Sequence, residues 1–131
     1  MTAYVSHTTI DSHNAYELSE WWKKVLGYTD MPGDPNEPGH PQCMIIDPGT
    51  GHRMLFIEGE HGEKAVKNRV HLDLASRAGD RDQEIERIRK LGASVIADLR
   101  GEHGPGSGWV TFADPEGNEF CLVRSPAEMP E

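Results

Sequence analysis

Asp114-Pro115-Glu116-Gly117-Asn118-Glu119-Phe120-Cys121-Leu122 is a tight turn running into a strand with alternating side chains. Phe120 and Leu122 face one way, Glu119 and Cys121 the other. The same device stands 67 residues earlier, where Asp47-Pro48-Gly49-Thr50-Gly51 precedes another apolar stretch. Two further landmarks recur in the same order. Val25-Leu26-Gly27 closes an amphipathic segment and Lys90-Leu91-Gly92 closes another 65 residues on, while His7 and His71 are 64 apart. Such matched offsets define an internal repeat. The chain reads as one domain of two modules, 1–60 and 69–131, joined by the polar linker Gly59 to Asn68.

Each module reads as strand, helix, then three strands, an α+β pattern. Leu18, Trp21, Trp22 and Val25 form an i, i+3, i+4, i+7 apolar face, with Glu17, Glu20, Lys23 and Lys24 off it. Glu20 and Lys24 are spaced as a favourable i, i+4 pair, and Gly27 is placed as a left-handed cap. In the second helix Asp80 caps the start with Gln83 as its capping-box partner; Ile85, Ile88 and Leu91 form the stripe and Gly92 stops it. Val70, Leu72 and Leu74 alternate with His71 and Asp73, and His7, Thr9 and Asp11 share the corresponding face in the first module. Val110 and Phe112 likewise oppose Trp109 and Thr111. The remaining strands are Gln42 to Asp47 and Arg53 to Glu58, with a short one after each helix. Pro32 to Pro41 and Gly101 to Gly108 read as long loops, of the kind that form mouths or lids.

The 131 residues carry 13 Lys and Arg against 22 Asp and Glu, a formal charge of −9. With no basic cluster to release counterions, this balance argues against a nucleic-acid partner. The longest apolar run, Met54 to Ile57, is far short of a membrane span of roughly 18 residues, and the N-terminus lacks a secretory pattern. Two cysteines, Cys43 and Cys121, make no disulfide framework, so a cytoplasmic location with reduced thiols is expected.

Candidate chemistry gathers on the face away from the helices. If the modules pack around a pseudo-twofold axis, the repeat-equivalent His7 and His71 converge and supply half of a Zn, Ni, Mn or Fe(II) site. Cys121 as thiolate or Glu119 as carboxylate supplies a third, anionic ligand; a free cysteine is otherwise most often a small buried hydrophobe. Thr9, Asp73 and Trp109 are the expected substrate-pocket residues. His13, His40, His52, His61 and His103 lie in loops beside Gly, Pro and acids and read as surface residues. No phosphate-loop or Gly-x-Ser-x-Gly signature is present.

Trp21-Trp22-x-x-x-Leu26-Gly27, Asn68-Arg69-Val70-His71-Leu72-Asp73-Leu74 and Asp114-Pro115-Glu116-Gly117-Asn118-Glu119-Phe120 together resemble the vicinal oxygen chelate superfamily, over essentially the whole chain. That superfamily holds glyoxalase I, extradiol dioxygenases, fosfomycin-resistance thiol transferases and bleomycin-resistance proteins. The nearest likeness is to its small glyoxalase-like domain proteins. The resemblance implies two tandem βαβββ modules whose curled mixed sheets form a cup, with the helices on the outer face. It implies metal ligands at His7, twenty residues before Gly27, and at His71. The superfamily's last-strand carboxylate falls four residues after Gly117, where this chain has Cys121. A first-module ligand of glyoxalase I falls at Leu55. The missing carboxylate counts against Fe(II) dioxygenase chemistry, which needs two His and a carboxylate.

Two functions are expected from this. One is a metal-dependent lyase, isomerase or thiol transferase that polarises vicinal oxygens, with His7, His71 and Cys121 on the metal and Glu119 as general base when it is not itself a ligand. The other is metal-free sequestration of a small drug or metabolite, using Trp109 and the acidic surface. The expected partners are a small molecule and a second copy of the chain in a homodimer, with no membrane.

Overall fold

Residue alternation and helical periodicity build the same element series twice. In the computed structural model, which describes residues 1–60 and 62–128, the chain divides into two compact units, Met1–Gly62 and Glu63–Glu131. The first runs β1 (Thr8–Ser12), α1 (Ala15–Leu26), β2 (Thr29–Asp30), β3 (Gln42–Ile46) and β4 (Arg53–Glu58). The second runs β5 (Leu72–Leu74), α2 (Arg81–Lys90), β6 (Ser94–Asp98), β7 (Val110–Ala113) and β8 (Glu119–Leu122). A short 3-10 turn at Pro126–Glu128 follows. The sheets have matching orders, β1-β4-β3-β2 and β5-β8-β7-β6. In each the first strand pairs parallel with the last and the other pairs are antiparallel. The fold is therefore a tandem βαβββ repeat with mixed sheets.

The helices obey their local signals. Asn14 caps α1, its side chain accepting from the Glu17 N–H, and Gly27 closes it at φ 71°. Leu18, Trp22 and Val25 are buried against the sheet that carries Cys43, Ile45, Met54 and Phe56. Trp21 is only half-buried and meets Trp22 edge to face at 5.3 Å. Lys23 reaches Glu20 at 2.7 Å and Asp30, on β2, at 3.0 Å. The Asp80–Gln83 capping box of α2 is present, with Leu91 as the half-buried C-cap before Gly92. Ile85 and Ile88 pack with Val110, Phe112, Phe120 and Leu122 in the second core. Phe112 and Phe120 are register partners and stack at 5.5 Å.

The recurrence of Asp-Pro has a physical reason. Asp114, 3% exposed, accepts from the Glu116 and Asn118 N–H groups at 2.9 Å each and from the Asn118 amide. Asp47 accepts from the Gly49 N–H and the Thr50 hydroxyl, both at 2.9 Å. Each carboxylate takes the N–H groups that a tight turn cannot pair with backbone. The strands then emerge in fixed register.

Three strand-end expectations change. His7 and His71 each precede their strand by one residue, since β1 begins at Thr8 and β5 at Leu72. Val70 is 85% exposed in a bend and joins no core face. Two histidines expected at the surface, His40 and His52, are half-buried. His52 is bound by the Tyr28 hydroxyl at 2.7 Å and by Thr8 at 3.2 Å, tying β1 to the chain after α1. His61 lies outside the described residues.

Candidate metal and substrate site

The alternation in β8 sends Phe120 and Leu122 into the core and leaves Glu119 and Cys121 on the opposite face. Parallel pairing sets Asp73 beside Cys121, and antiparallel pairing sets Thr111 on its other side. Directly paired strands lie about 4.8 Å apart, so same-face neighbours across them are in reach of one another. These residues floor a pocket of about 470 Å³ in the second unit. Its walls are largely apolar, from Ile96, Leu99, Trp109 and Val123, and Lys67 lies among them. The volume suits a small molecule.

His71, Asp73 and Cys121 offer donor atoms that all lie within 4.8 Å of one another. His71 Nδ1 is 3.1 Å from Asp73 Oδ1, and both side chains reach solvent. Cys121 is 5% exposed, with its sulfur 3.4 Å from Thr111 Oγ1. Burial pushes the Cys121 thiol above its ordinary pKa; the Thr111 hydroxyl pulls it down and the Asp73 carboxylate pushes it up. Nitrogen, sulfur and oxygen donors in one cluster suit a divalent metal, and edges of a tetrahedral ligand shell are about 3.5 Å. His71 and Asp73 reach solvent and have room to turn toward the buried sulfur, and the donor set fits a divalent ion.

Glu119 lines the same pocket and its carboxylate meets Lys64 Nζ at 3.7 Å. The wall carrying Trp109, which is 39% exposed, rests on a clamp. Arg81, 7% exposed, donates to the carbonyls of Gly106, Ser107 and Gly108 at 3.3, 2.8 and 3.0 Å. Gly108, at φ 83°, lets the loop approach Leu99 so closely that a Cβ there would stand 1.9 Å from the Leu99 carbonyl oxygen.

Of the residues singled out from sequence, His71, Cys121, Glu119, Asp73 and Trp109 line this pocket together. His7 and Thr9 belong to the first unit, where His7 Nδ1 meets Ser6 Oγ at 2.9 Å and Thr9 pairs with Leu55. Register makes Thr9–Leu55 the counterpart of Asp73–Cys121, so Leu55 holds the position of Cys121 in the first module. The sequence pattern marks Asp73 as a pocket residue and not as a metal donor. Its i, i+2 relation to His71 was the available signal, but the pairing with Cys121 is a property of the sheet. Arg81 carried no signal at all, since a lone Arg at a helix start reads as solvated.

The architecture is that of the vicinal oxygen chelate superfamily. The fosfomycin resistance protein FosX from Listeria monocytogenes, in its tetragonal form, aligns with a TM-score of 0.70 at 16% identity over 100% of this chain and 96% of that one. FosX from Mesorhizobium loti aligns at 0.66 and 18% identity, over 94% and 92%. A possible glyoxalase from Bacillus cereus aligns at 0.63 and 12%, over 93% and 99%. No curated protein matches the sequence significantly. The glyoxalase-like domain model matches residues 7–123, and the chain belongs to that family. Among the described residues no helix is long and apolar enough to cross a membrane.

Proposed function

We propose that the protein is a divalent-metal-dependent lyase, isomerase or thiol transferase acting on a small substrate with vicinal oxygens. The observation that carries this is the His71–Asp73–Cys121 donor cluster in a substrate-sized pocket. Support comes from FosX of L. monocytogenes, a mutant of which was solved with Mn(II) and 1S,2S-dihydroxypropylphosphonic acid, a vicinal diol. His71 and Cys121 hold the ion. A bound ion supplies Lewis-acid polarisation of the substrate oxygens. Glu119 accepts the substrate proton, and Lys64 holds its carboxylate in place. Ile96, Leu99 and Trp109 exclude water from one side of the substrate.

The test is metal analysis of protein purified without chelator, beside His71→Ala and Cys121→Ala. Bound divalent metal, lost in both variants, is expected. At a free metal concentration 100 times Kd, the gain in stability is about 2.7 kcal/mol. Absence of metal and of any metal-induced rise in Tm overturns the reading. The apolar wall and exposed Trp109 favour a second reading, metal-free sequestration of a planar cationic molecule. Stabilisation by such compounds in the presence of chelator would support it; a requirement for metal would exclude it.

A further inference from the structure

We infer that Asp73 is a metal ligand beside Cys121, so that the second module alone presents a His71–Asp73–Cys121 set suited to a thiophilic ion such as Zn(II). This rests on the metal-dependent reading above and extends it to a ligand and a metal class. The residue in the last-strand carboxylate place is Cys121, and its parallel register partner is Asp73. The two residues therefore sit on adjacent strands with their side chains on the same face. Both residues border the one pocket, and their donor atoms lie within 4.8 Å of each other and of the His71 ring. Cys121 is fixed in the sheet and buried, while His71 and Asp73, at 32% and 55% side-chain exposure, have room to rotate toward an ion.

The donor chemistry then separates this chain from its structural neighbours. Thiolate with imidazole favours Zn(II) and its analogue Co(II), whereas carboxylate-rich sets suit Mn(II). FosX of L. monocytogenes was solved with Mn(II). Almost any such site prefers Zn(II) to Mn(II) by the ordinary affinity order, so a bare preference decides nothing. What Cys121 contributes is read from the change in that preference when the sulfur is removed. Three protein ligands also leave a fourth position open, as catalytic zinc sites require.

Asp73 has a rival role. A carboxylate 3.1 Å from His71 Nδ1 could orient the ring and touch no metal. Asn at position 73 separates the two, because it keeps an oxygen that can accept from the ring N–H and loses the anionic ligand.

The experiment loads the full-length protein with Co(II) and records its optical spectrum, then measures Zn(II) and Mn(II) affinity by competition titration. The unmodified protein should show a sulfur-to-cobalt charge-transfer band. Cys121→Ser should lose the band, and Cys121→Glu should shrink the Zn(II)/Mn(II) affinity ratio at least tenfold. Asp73→Asn should bind Zn(II) at least tenfold more weakly, with circular dichroism showing the fold intact. Cobalt bound without the band in the unmodified protein refutes the role of Cys121 and leaves the metal-dependent reading standing. Zinc affinity unchanged in Asp73→Asn refutes the role of Asp73 in the same way. No Co(II) or Zn(II) binding removes both the inference and the reading beneath it.

Discussion

Replacing Asp114 by Ala removes the acceptor on which the β7–β8 turn is built. Asp114 Oδ1 takes the N–H groups of Glu116 and Asn118, each at 2.9 Å, and the Asn118 amide reaches both carboxylate oxygens. An unpaired, largely buried N–H costs about 1–3 kcal/mol. With two such groups and partial access of water to the turn, Asp114→Ala should cost about 3 kcal/mol. Domains are typically stable by only about 5–15 kcal/mol, so the loss is a large fraction. In a chain of this length it corresponds to about 10 °C in Tm. Asp47→Ala is the internal comparison, because the Asp47 carboxylate accepts from the Gly49 N–H and from the Thr50 hydroxyl in the corresponding turn. Its expected cost is likewise about 1–3 kcal/mol. Urea titrations followed by far-ultraviolet circular dichroism measure both. An Asp114→Ala loss below about 0.5 kcal/mol refutes the assignment of the turn to its carboxylate.

Gly108→Ala should fail to fold or lose more than about 4 kcal/mol, because φ is 83° and the new Cβ would collide with backbone at Leu99; a Tm within a few degrees of the unmodified protein would contradict the close approach. Acid stability should carry a signature of Asp98, whose carboxyl is held at about 2, against an ordinary 3.8, by hydrogen bonds from Arg100. A depressed carboxyl stabilises above its unfolded pKa and loses that contribution as pH falls toward its folded pKa. Asp98→Asn should therefore flatten the stability profile between about pH 4 and 2, measured by urea midpoints across that window, and leave its slope above about pH 5 unchanged.

Much of the fold was legible because its signals are local. The stripe Leu18, Trp22 and Val25, the Asp80–Gln83 box and the two Asp-Pro turns each depend on residues within a few positions of one another. Where the reading slipped, a strand end or a partner from elsewhere intervened. Val70 joined no core face because β5 begins only at Leu72. His52 left the surface because Tyr28 and Thr8 bind both its ring nitrogens.

The candidate site divides along the same line. Alternation within one strand is enough to set Glu119 and Cys121 on one face of β8 and His71 and Asp73 on one face at β5, and the repeat is enough to imply two βαβββ modules. Alternation has period two and contains nothing about which strand lies alongside. Only the folded sheet places Asp73 opposite Cys121 and Thr111 behind it, because register is settled by turns and core packing summed over the whole sheet. Only the folded unit buries the Arg81 guanidinium under the carbonyls of Gly106, Ser107 and Gly108, since a charge is buried where distant backbone satisfies it. The sequence by itself determined the modules and the faces; tertiary structure decided which side chains meet.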